Sequence, residues 1–322
     1  MPTIESGFRP PSLLWNGHVQ TILPSLLPRR VALKFERERW DLPDGDFIDM
    51  DWARSGHRRL ALLSHGLEGS STNHYVRGMA AALIAAGWDV LAWNFRGCSG
   101  EPNRLPRFYH SGETRDLGAV IEHAAAAYPQ IALIGFSLGG NMTLKYLGEP
   151  EVHPAVIAGA GISVPIDLAA SSRALDQRWA NRIYLRRFMT SLISKIRAKA
   201  SRFPDQINVV DAEKIGTFAE FDDRYTAPLH GFRDASDYWT RSSARQYLPR
   251  IVVPTLLLNA LNDPFLRLSV SRSRRRAKIP RSFLKRPSLA DMSAFWISST
   301  ASNHGRNAGL WNFSHRRVQT AG

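Results

Sequence analysis

The chain has 322 residues, 44% of them hydrophobic, and is long enough to bury a full core in one large α/β domain. Its single cysteine, Cys98, excludes an internal disulfide and favours a reducing compartment. No run approaches 18 apolar residues, and residues 1–11 lack a signal-peptide pattern. We therefore expect a cytoplasmic protein without stable membrane insertion.

The formal net charge of +14 is concentrated at one end of the chain. Residues 267–322 contain twelve lysines and arginines and one acid, Asp291, so they carry +11 and leave +3 for residues 1–266. A nucleic-acid-binding domain would present its basic residues on a folded surface. The charge distribution therefore predicts no nucleic-acid partner.

The predicted elements begin with an aromatic, turn-rich arm at residues 8–23. Residues 31–42 and 47–52 nearly alternate between apolar and polar side chains, and Pro43-Asp44-Gly45-Asp46 joins them as a hairpin turn. From residue 60 to residue 162, predicted strands alternate with predicted helices. This order indicates a mostly parallel sheet covered by helices on both faces.

The turn after the strand at residues 60–64 has the sequence His65-Gly66-Leu67-Glu68-Gly69. A His-Gly turn at this place supplies a backbone oxyanion donor in many serine hydrolases, which makes the N–H of Leu67 a candidate donor. We expect the His65 side chain itself to hydrogen-bond within its own loop.

A glycine-punctuated loop follows the strand at residues 88–93. Arg96, Asn103 and His110 lie in or after this loop, where they could contact a substrate, although an arginine more often supports such a loop. Cys98 fits a small buried side chain better than a nucleophile.

A third turn carries the main candidate for chemistry. The apolar run 131–134 leads into Gly135-Phe136-Ser137-Leu138-Gly139, and a helical segment follows. Strand, tight turn with a serine at its apex, and helix are the form of a nucleophile elbow. We therefore expect Ser137 to be the nucleophile and the N–H of Leu138 to be an oxyanion donor at the helix N-terminus.

Residues 165–249 are predicted to be helical without intervening strands. The segment 181–198 is amphipathic and basic, which is typical of a helix that packs on a domain or lies on a membrane surface. We interpret residues 165–249 as a cap inserted into the core, with peripheral membrane contact through the cap as an open alternative.

A candidate acid follows the next core strand, residues 251–259. Asp263 comes after the serine in the chain and lies in a loop after a strand, which is the order expected of a triad acid. Asp234 and Asp237 compete for this role but follow no strand.

Several motifs together resemble the YheT-like branch of the α/β-hydrolases, relatives of the membrane-anchored lipid esterases of animals. The resemblance covers residues 8–266. It implies the α/β-hydrolase fold with a helical cap, and hydrolysis of short-chain or lipid carboxylic esters through an acyl-enzyme, with Ser137 as nucleophile and Asp263 as acid. The motifs are Trp15-Asn16-Gly17-His18-Val19-Gln20-Thr21, the His65 turn, residues 94–101, Tyr109-His110-Ser111-Gly112, the elbow, and Asn262-Asp263-Pro264-Phe265.

The expected catalytic histidine is missing from its place. The family has an apolar strand, Gly-Gly-His-Val-Gly-Phe, and a helix resembling Trp-Ser-Glu-Arg-Arg-Ala-Leu-Glu. After Asp263 this chain offers only His304 and His315. His304 follows no apolar strand and is a weak substitute, because a catalytic base must be held by rigid structure.

The genetic code suggests why the catalytic histidine is missing from its expected place. When codons are regrouped by pairing each third base with the first two bases of the next codon, residues 289–297 can encode Gly-Gly-His-Val-Gly-Phe-Leu-Asp. The same shift lets residues 304–312 encode the family helix, and it yields Leu-Glu and a nearby proline from residues 283–287. We infer that the chain leaves its ancestral frame between about residues 266 and 276, and that the histidine is encoded out of frame near Met292.

The sequence therefore predicts a core from residues 1–164 and 250–266, a cap at 165–249, and an out-of-frame tail at 267–322 that lacks the last strand and helix.

The predicted function is a serine esterase. The alternative is a catalytically impaired pseudo-hydrolase, since the chain as written lacks the base; thioesterase, amidase and haloperoxidase chemistry also remain open. No cofactor or metal is expected, because the histidines and the cysteine show no ligand spacing. Acyl length, head group and oligomeric state are not determined.

Overall fold

The computed structural model describes residues 3–5, 31–177, 179–260, 263, 265 and 282–286, the first and last of these ranges by their backbone. The predicted arm at residues 8–23 and most of the predicted tail, including His304 and His315, lie outside the described residues, so the expected loss of the closing helix stays a prediction.

A nine-stranded sheet forms the centre of the fold, in the order β1-β9-β8-β7-β6-β4-β5-β3-β2. Strand β3 is antiparallel to β2 and β5, and every other neighbouring pair is parallel. The strands are β1 (Thr3–Glu5), β2 (Glu36–Asp41), β3 (Phe47–Ala53), β4 (Arg59–Ser64), β5 (Asp89–Trp93), β6 (Gln130–Phe136), β7 (Val156–Ile162), β8 (Thr255–Leu258) and β9 (Ser282–Arg286).

The α-helices fall into two groups. Three alternate with the strands of the parallel sheet, and the others lie between β7 and β8, where the described residues contain helices and no strand. The first group is α1 (His74–Ala85), α2 (Thr114–Ala125) and α3 (Leu138–Leu147); the second is α4 (Leu168–Gln177), α5 (Arg182–Ala200), α6 (Phe218–Phe221), α7 (Ala227–Leu229) and α8 (Ala235–Ser242). No described helix is long and apolar enough to cross a membrane.

The central strands are apolar on both sides because the sheet is covered on both faces. On β4, Leu60 and Leu62 belong to one buried cluster, while Ala61 and Leu63 belong to another that includes Leu83 of α1. Alternate residues of a strand point to opposite faces, so one short strand supplies both cores. The near-continuous hydrophobic run that predicted a buried parallel strand has this cause.

The end of the sheet differs from the sequence expectation. We expected the last strand to be lost, but β9 (Ser282–Arg286) pairs in parallel with β8 and with β1. A strand needs only a short extended segment with backbone groups to pair, and the side of β8 that faces away from β7 offers those groups to a segment of almost any sequence. The expected loss is therefore wrong for the strand.

A buried ion-pair network fixes the loop after β5. Arg96 is 3% exposed, and its guanidinium binds Asp116 of α2 through two bonds of 2.7 Å and Asp46 of the β2–β3 turn at 2.9 Å. It therefore supports the loop, the commoner of the two roles considered for it. One side chain joins three segments that are distant in sequence.

Arg96→Met should destabilise the fold by about 3–5 kcal/mol, because it leaves two buried carboxylates without their cation. The control Arg245→Met removes an exposed pair with Asp167 and should cost at most about 1 kcal/mol. Urea unfolding of both variants measures the difference, and similar small effects would contradict a structural role for the buried network.

Candidate active site

Ser137 lies between β6 and α3 in a strained backbone conformation. Its φ is 50° and its ψ is −114°, and its N–H donates to the carbonyl of Ile162 on β7 at 2.8 Å. A positive φ in a non-glycine residue costs on the order of 1–3 kcal/mol and persists only where surrounding contacts enforce it. Among the described residues the Ser137 hydroxyl has no hydrogen-bond partner.

The two glycines of the turn permit this geometry. A Cβ at Gly135 would lie 2.3 Å from the carbonyl oxygen of Gly139, and a Cβ at Gly139 would lie 2.4 Å from that of His65. These backbones approach so closely that no side chain fits. The same approach brings the His65 turn against the start of α3, where the Gly139 N–H donates to His65 O at 3.1 Å.

The N–H groups of Leu67 and Leu138 donate to no acceptor within the part of the chain that the structure describes. Both residues line one cavity together with Ser137. Two unused backbone donors beside a serine are the arrangement that stabilises an oxyanion. The structure thus brings together the three residues that the sequence singled out at these two turns.

His65 does not serve this serine as a base. Its Nδ1 donates to the carbonyl of Gly66 at 2.8 Å, and its Nε2 accepts from the N–H of Phe95 at 3.2 Å. Both ring nitrogens are therefore occupied. Burial lowers the pKa of His65 to about 4, so the ring is neutral at pH 7. Its role is to hold the loop, as the sequence indicated.

Glu68 connects the His65 turn to α5. Its N–H donates to the Tyr109 hydroxyl at 2.9 Å, and that hydroxyl donates back to Glu68 Oε1 at 2.6 Å. Lys195 of α5 binds Oε1 at 2.9 Å, and Ser191 of the same helix donates to Oε2. Glu68 has a positive φ of 54°, so these contacts hold a strained residue next to Leu67.

Asp263 follows β8 and has an unpaired carboxylate oxygen. The side chain is 5% exposed, Oδ1 accepts from the N–H of Phe265 at 2.9 Å, and Oδ2 has no hydrogen-bond partner among the described residues. Burial raises the pKa of Asp263 to about 7, only partly offset by the Phe265 bond. A buried, unsatisfied carboxylate is costly and indicates a position meant for a donor.

The two aspartates that compete with Asp263 for the role of triad acid have structural roles. Asp234 caps α8 by accepting from the Asp237 N–H at 2.7 Å, and Asp237 pairs with Arg241. Both roles are those of ordinary helix-terminus carboxylates.

The Ser137 cavity has a volume of about 160 Å³ and is mostly apolar. Its walls include Phe108, Leu192 and Phe265, and also Asp222, which the sequence analysis missed. Asp222 accepts from Thr226 and from the Trp239 indole, both at 2.7 Å. Burial raises the pKa of Asp222 to about 7, so this acid is partly protonated near neutral pH. The one signal that could have identified Asp222 as a candidate site residue is its place in the π-helical turn Asp222–Thr226, because such turns are frequent at functional sites.

One group of side chains has the composition of a metal site. Nitrogen and oxygen atoms of His110, Glu113 and His230 lie within 4.8 Å of one another. However, His110 Nδ1 accepts from the Gly112 N–H at 3.1 Å, so Nε2 carries the proton and faces Glu113 at 3.3 Å. A ligating nitrogen must be free of its proton, so the bonding of His110 does not fit a metal.

The charge on Glu113 agrees with this assignment. Burial acts to raise its pKa, but the hydrogen bond from His110, with the positive charges of Arg115 and Arg107 nearby, outweighs burial and lowers the pKa of Glu113 to about 2. These three partners already satisfy the carboxylate. His110 itself lines the Ser137 cavity, as the sequence analysis allowed.

Arg96, Asn103 and Cys98 do not line the Ser137 cavity but a neighbouring one of about 470 Å³. Cys98 is buried, and burial raises the pKa of its thiol to about 11, which makes it a poor nucleophile. This agrees with its interpretation as a small buried side chain.

Comparisons of sequence point in one direction. A sequence profile described as the alpha/beta hydrolase fold matches residues 62–298. The protein YheT of Escherichia coli (strain K12), whose name classes it as an esterase, is 38% identical over 78% of this chain and 76% of its own length. Phospholipase ABHD3 of Mus musculus is 29% identical over 82% of this chain and 67% of its own length.

A comparison of structures agrees on the fold. The esterase Pf2001 of Pyrococcus furiosus has a TM-score of 0.55 and 18% identity, and the match covers 85% of this chain and 95% of that one. At this identity the likeness concerns the fold alone.

Asp263→Asn should stabilise the chain as written increasingly as pH rises. The unfolded Asp263 ionises near pH 4 and the folded one near pH 7, so stability falls as pH rises through this window. The increase in the free energy of unfolding on substitution should be small at pH 4 and reach up to about 4 kcal/mol at pH 8. Urea unfolding at both pH values measures it.

The control is Asp234→Asn, because asparagine caps a helix as well as aspartate. Its effect should be small at both pH values. A pH-independent effect of Asp263→Asn would show that its carboxylate is not buried and unpaired as described.

Proposed function

We propose that this chain, which belongs to the α/β-hydrolase family and is an enzyme of the carboxylesterase and lipase type, cleaves carboxylic esters through an acyl-enzyme formed on Ser137. The observation that carries the proposal is the pair of unused N–H groups, Leu67 and Leu138, beside the strained serine. Relatives named esterase, phospholipase and monoacylglycerol lipase support an ester with an acyl chain as substrate.

The reaction uses these groups in sequence. The Ser137 hydroxyl oxygen attacks the ester carbonyl carbon and loses its proton to a base. The carbonyl oxygen becomes an oxyanion and accepts hydrogen bonds from the Leu67 and Leu138 N–H groups. The protonated base then gives its proton to the leaving alcohol, and water attacks the acyl-enzyme by the reverse path.

Asp263 would orient the base in this scheme. Its unpaired Oδ2 supports the proposal, because a triad acid accepts a hydrogen bond from the histidine Nδ1–H. That histidine would be the one encoded out of frame near Met292. Strand β9 ends at Arg286, shortly before the codons that carry Gly-Gly-His in the shifted frame.

A catalytically impaired chain is the second candidate. The two described histidines that flank the site, His65 and His110, have both ring nitrogens engaged. If none of the residues outside the described range supplies a base, acylation should fall by several orders of magnitude, as when a triad base is removed.

Restoring the shifted frame after residue 266 should raise hydrolysis of p-nitrophenyl butyrate by at least about 10³-fold over the chain as written, because the serine regains its base. Steady-state kcat/KM of both proteins measures the gain, and fluorophosphonate labelling reports the reactivity of the serine.

Ser137→Ala in the restored chain is the control and should abolish both labelling and the gain. Equal, rapid labelling of the chain as written and the restored chain would refute a missing base. Activity that survives Ser137→Ala would refute the role of Ser137.

Cytoplasmic location and peripheral membrane contact through the cap stay predictions. In favour of contact, Trp179 and Ile183 are 84% and 75% exposed, and Arg182, Arg186 and Arg187 are exposed beside them. Apolar side chains rimmed by arginine fit the surface of an anionic bilayer. Failure to sediment with anionic vesicles would rule this contact out.

A further inference from the structure

A second cavity lies beside the Ser137 cavity, beneath α5. Its volume is about 470 Å³, and it shares Phe108, Leu192 and Phe221 with the smaller cavity as a common wall. The His65 turn contributes to both, since Leu67 lines the smaller cavity and Glu68 lines the larger one. A molecule at Ser137 therefore has a neighbouring space large enough for a further chemical group.

The charged lining of this second cavity has an excess of cations. Four basic side chains line it, against two acidic ones, Glu68 and Glu101. The basic ones are Arg37, Arg96, Lys195 and Lys199. Glu101 is itself paired at 2.7 Å with Arg39, which lies outside the lining.

Most of these cations are already neutralised by carboxylates. Arg37 pairs with Asp51 at 2.7 Å, and Lys195 pairs with Glu68 at 2.9 Å. Arg96 pairs with Asp116 and Asp46 of its network and also with Asp44, at 2.9 Å. Within the part of the chain that the structure describes, Lys199 is the cation of this lining without a carboxylate inside 4 Å.

Lys199 is buried with unmet hydrogen-bonding capacity. It is 4% exposed, and its ammonium donates to the carbonyl of Leu105 at 2.6 Å. An ammonium carries three N–H donors, so two have no acceptor among the described residues. Leaving a buried charge partly unsatisfied is costly, which indicates that the cavity supplies a partner.

The electrostatic surroundings point to an anion. Burial lowers the pKa of Lys199 to about 8, and Arg202, Lys195 and Arg96 oppose its charge while Asp46 favours it. Lys199 is still mostly protonated at pH 7. An anion would relieve the repulsion among these cations, whereas a neutral or cationic group would not.

We propose that this cavity binds a phosphate group, with Lys199 as its principal cation. A phosphate presents oxygen acceptors in several directions, which suits the two free donors of Lys199 and the hydroxyls of Ser70, Thr72 and Ser99 in the same lining. The group is either free phosphate or the head group of an ester, and only the second case rests on the proposed esterase function.

Lysine spacing on α5 explains why the sequence alone did not show this site. Ser191, Lys195 and Lys199 recur every fourth residue and so share the helix face that lines the cavity. In the sequence they merge with the other basic residues of an amphipathic helix.

The test is calorimetric titration of the full chain with inorganic phosphate and, separately, with glycerol 3-phosphate. Binding should be measurable in the parent protein and weakened at least 10-fold by Lys199→Met, which removes the charge and keeps an unbranched apolar stem. Lys199→Arg keeps the charge and should retain part of the affinity. Lys214→Met is the control, because Lys214 is exposed and does not line the cavity.

The two ligands distinguish the source of the phosphate. Tighter binding of glycerol 3-phosphate identifies a head-group site, and tighter binding of inorganic phosphate identifies a site for the free ion. Absence of binding by the parent protein, or equal binding by Lys199→Met, would overturn the proposal. Because the readout is binding, a site that depends on Lys199 would stand even if Ser137 proved unreactive.

Discussion

The close approach of two backbone turns is the constraint on which the candidate site depends. At Gly139 the chain passes so near the carbonyl of His65 that a Cβ would lie 2.4 Å from it. This contact places the N–H groups of Leu67 and Leu138 in one cavity with Ser137. It also forces the serine into a conformation that a free chain would avoid. The stability of the rest of the fold therefore offsets the backbone strain at Ser137.

Glu68 extends this constraint to the helical segment between β7 and β8. Tyr109 binds its N–H and its carboxylate, and α5 binds the carboxylate through Lys195 and Ser191. A shift of α5 would therefore act on the residue next to Leu67. This coupling places α5 at the junction of the two cavities, with the Ser137 chemistry on one side and Lys199 on the other.

Two buried ionisable side chains stand out because their surroundings leave hydrogen-bonding groups unsatisfied. Asp263 has an oxygen without a donor, and Lys199 has donors without acceptors, among the described residues. Globular proteins rarely leave such groups unsatisfied. We interpret the first as the position of a missing histidine and the second as the position of a ligand. The two differ in origin, since the first would arise from the coding frame and the second belongs to a proposed binding site.

Local features of the sequence predicted much of the fold. The elbow strand and helix, the hairpin of β2 and β3, and the alternation of strands and helices depend on neighbouring residues, whose spacing is visible in the chain. The contact between Glu68 and Lys195 joins residues 127 positions apart, and no pattern along the chain reveals it. Asp222 and Lys199 were missed for the same reason, because their environments arise only when distant segments pack together. β9 was missed because it pairs with β8 and β1 through backbone groups, and such pairing tolerates sequences that do not resemble strands.

The most direct measurement is chemical rescue of the chain as written by free imidazole. If Ser137 lacks only its base, imidazole should accelerate hydrolysis of p-nitrophenyl butyrate in a saturable way, beyond its own catalysis measured with Ser137→Ala. The acceleration should fall when Asp263 is replaced by alanine, because the imidazole then loses the acid that orients it. A rate that depends on imidazole identically in the parent chain and in Ser137→Ala would contradict an active site that is complete except for its histidine.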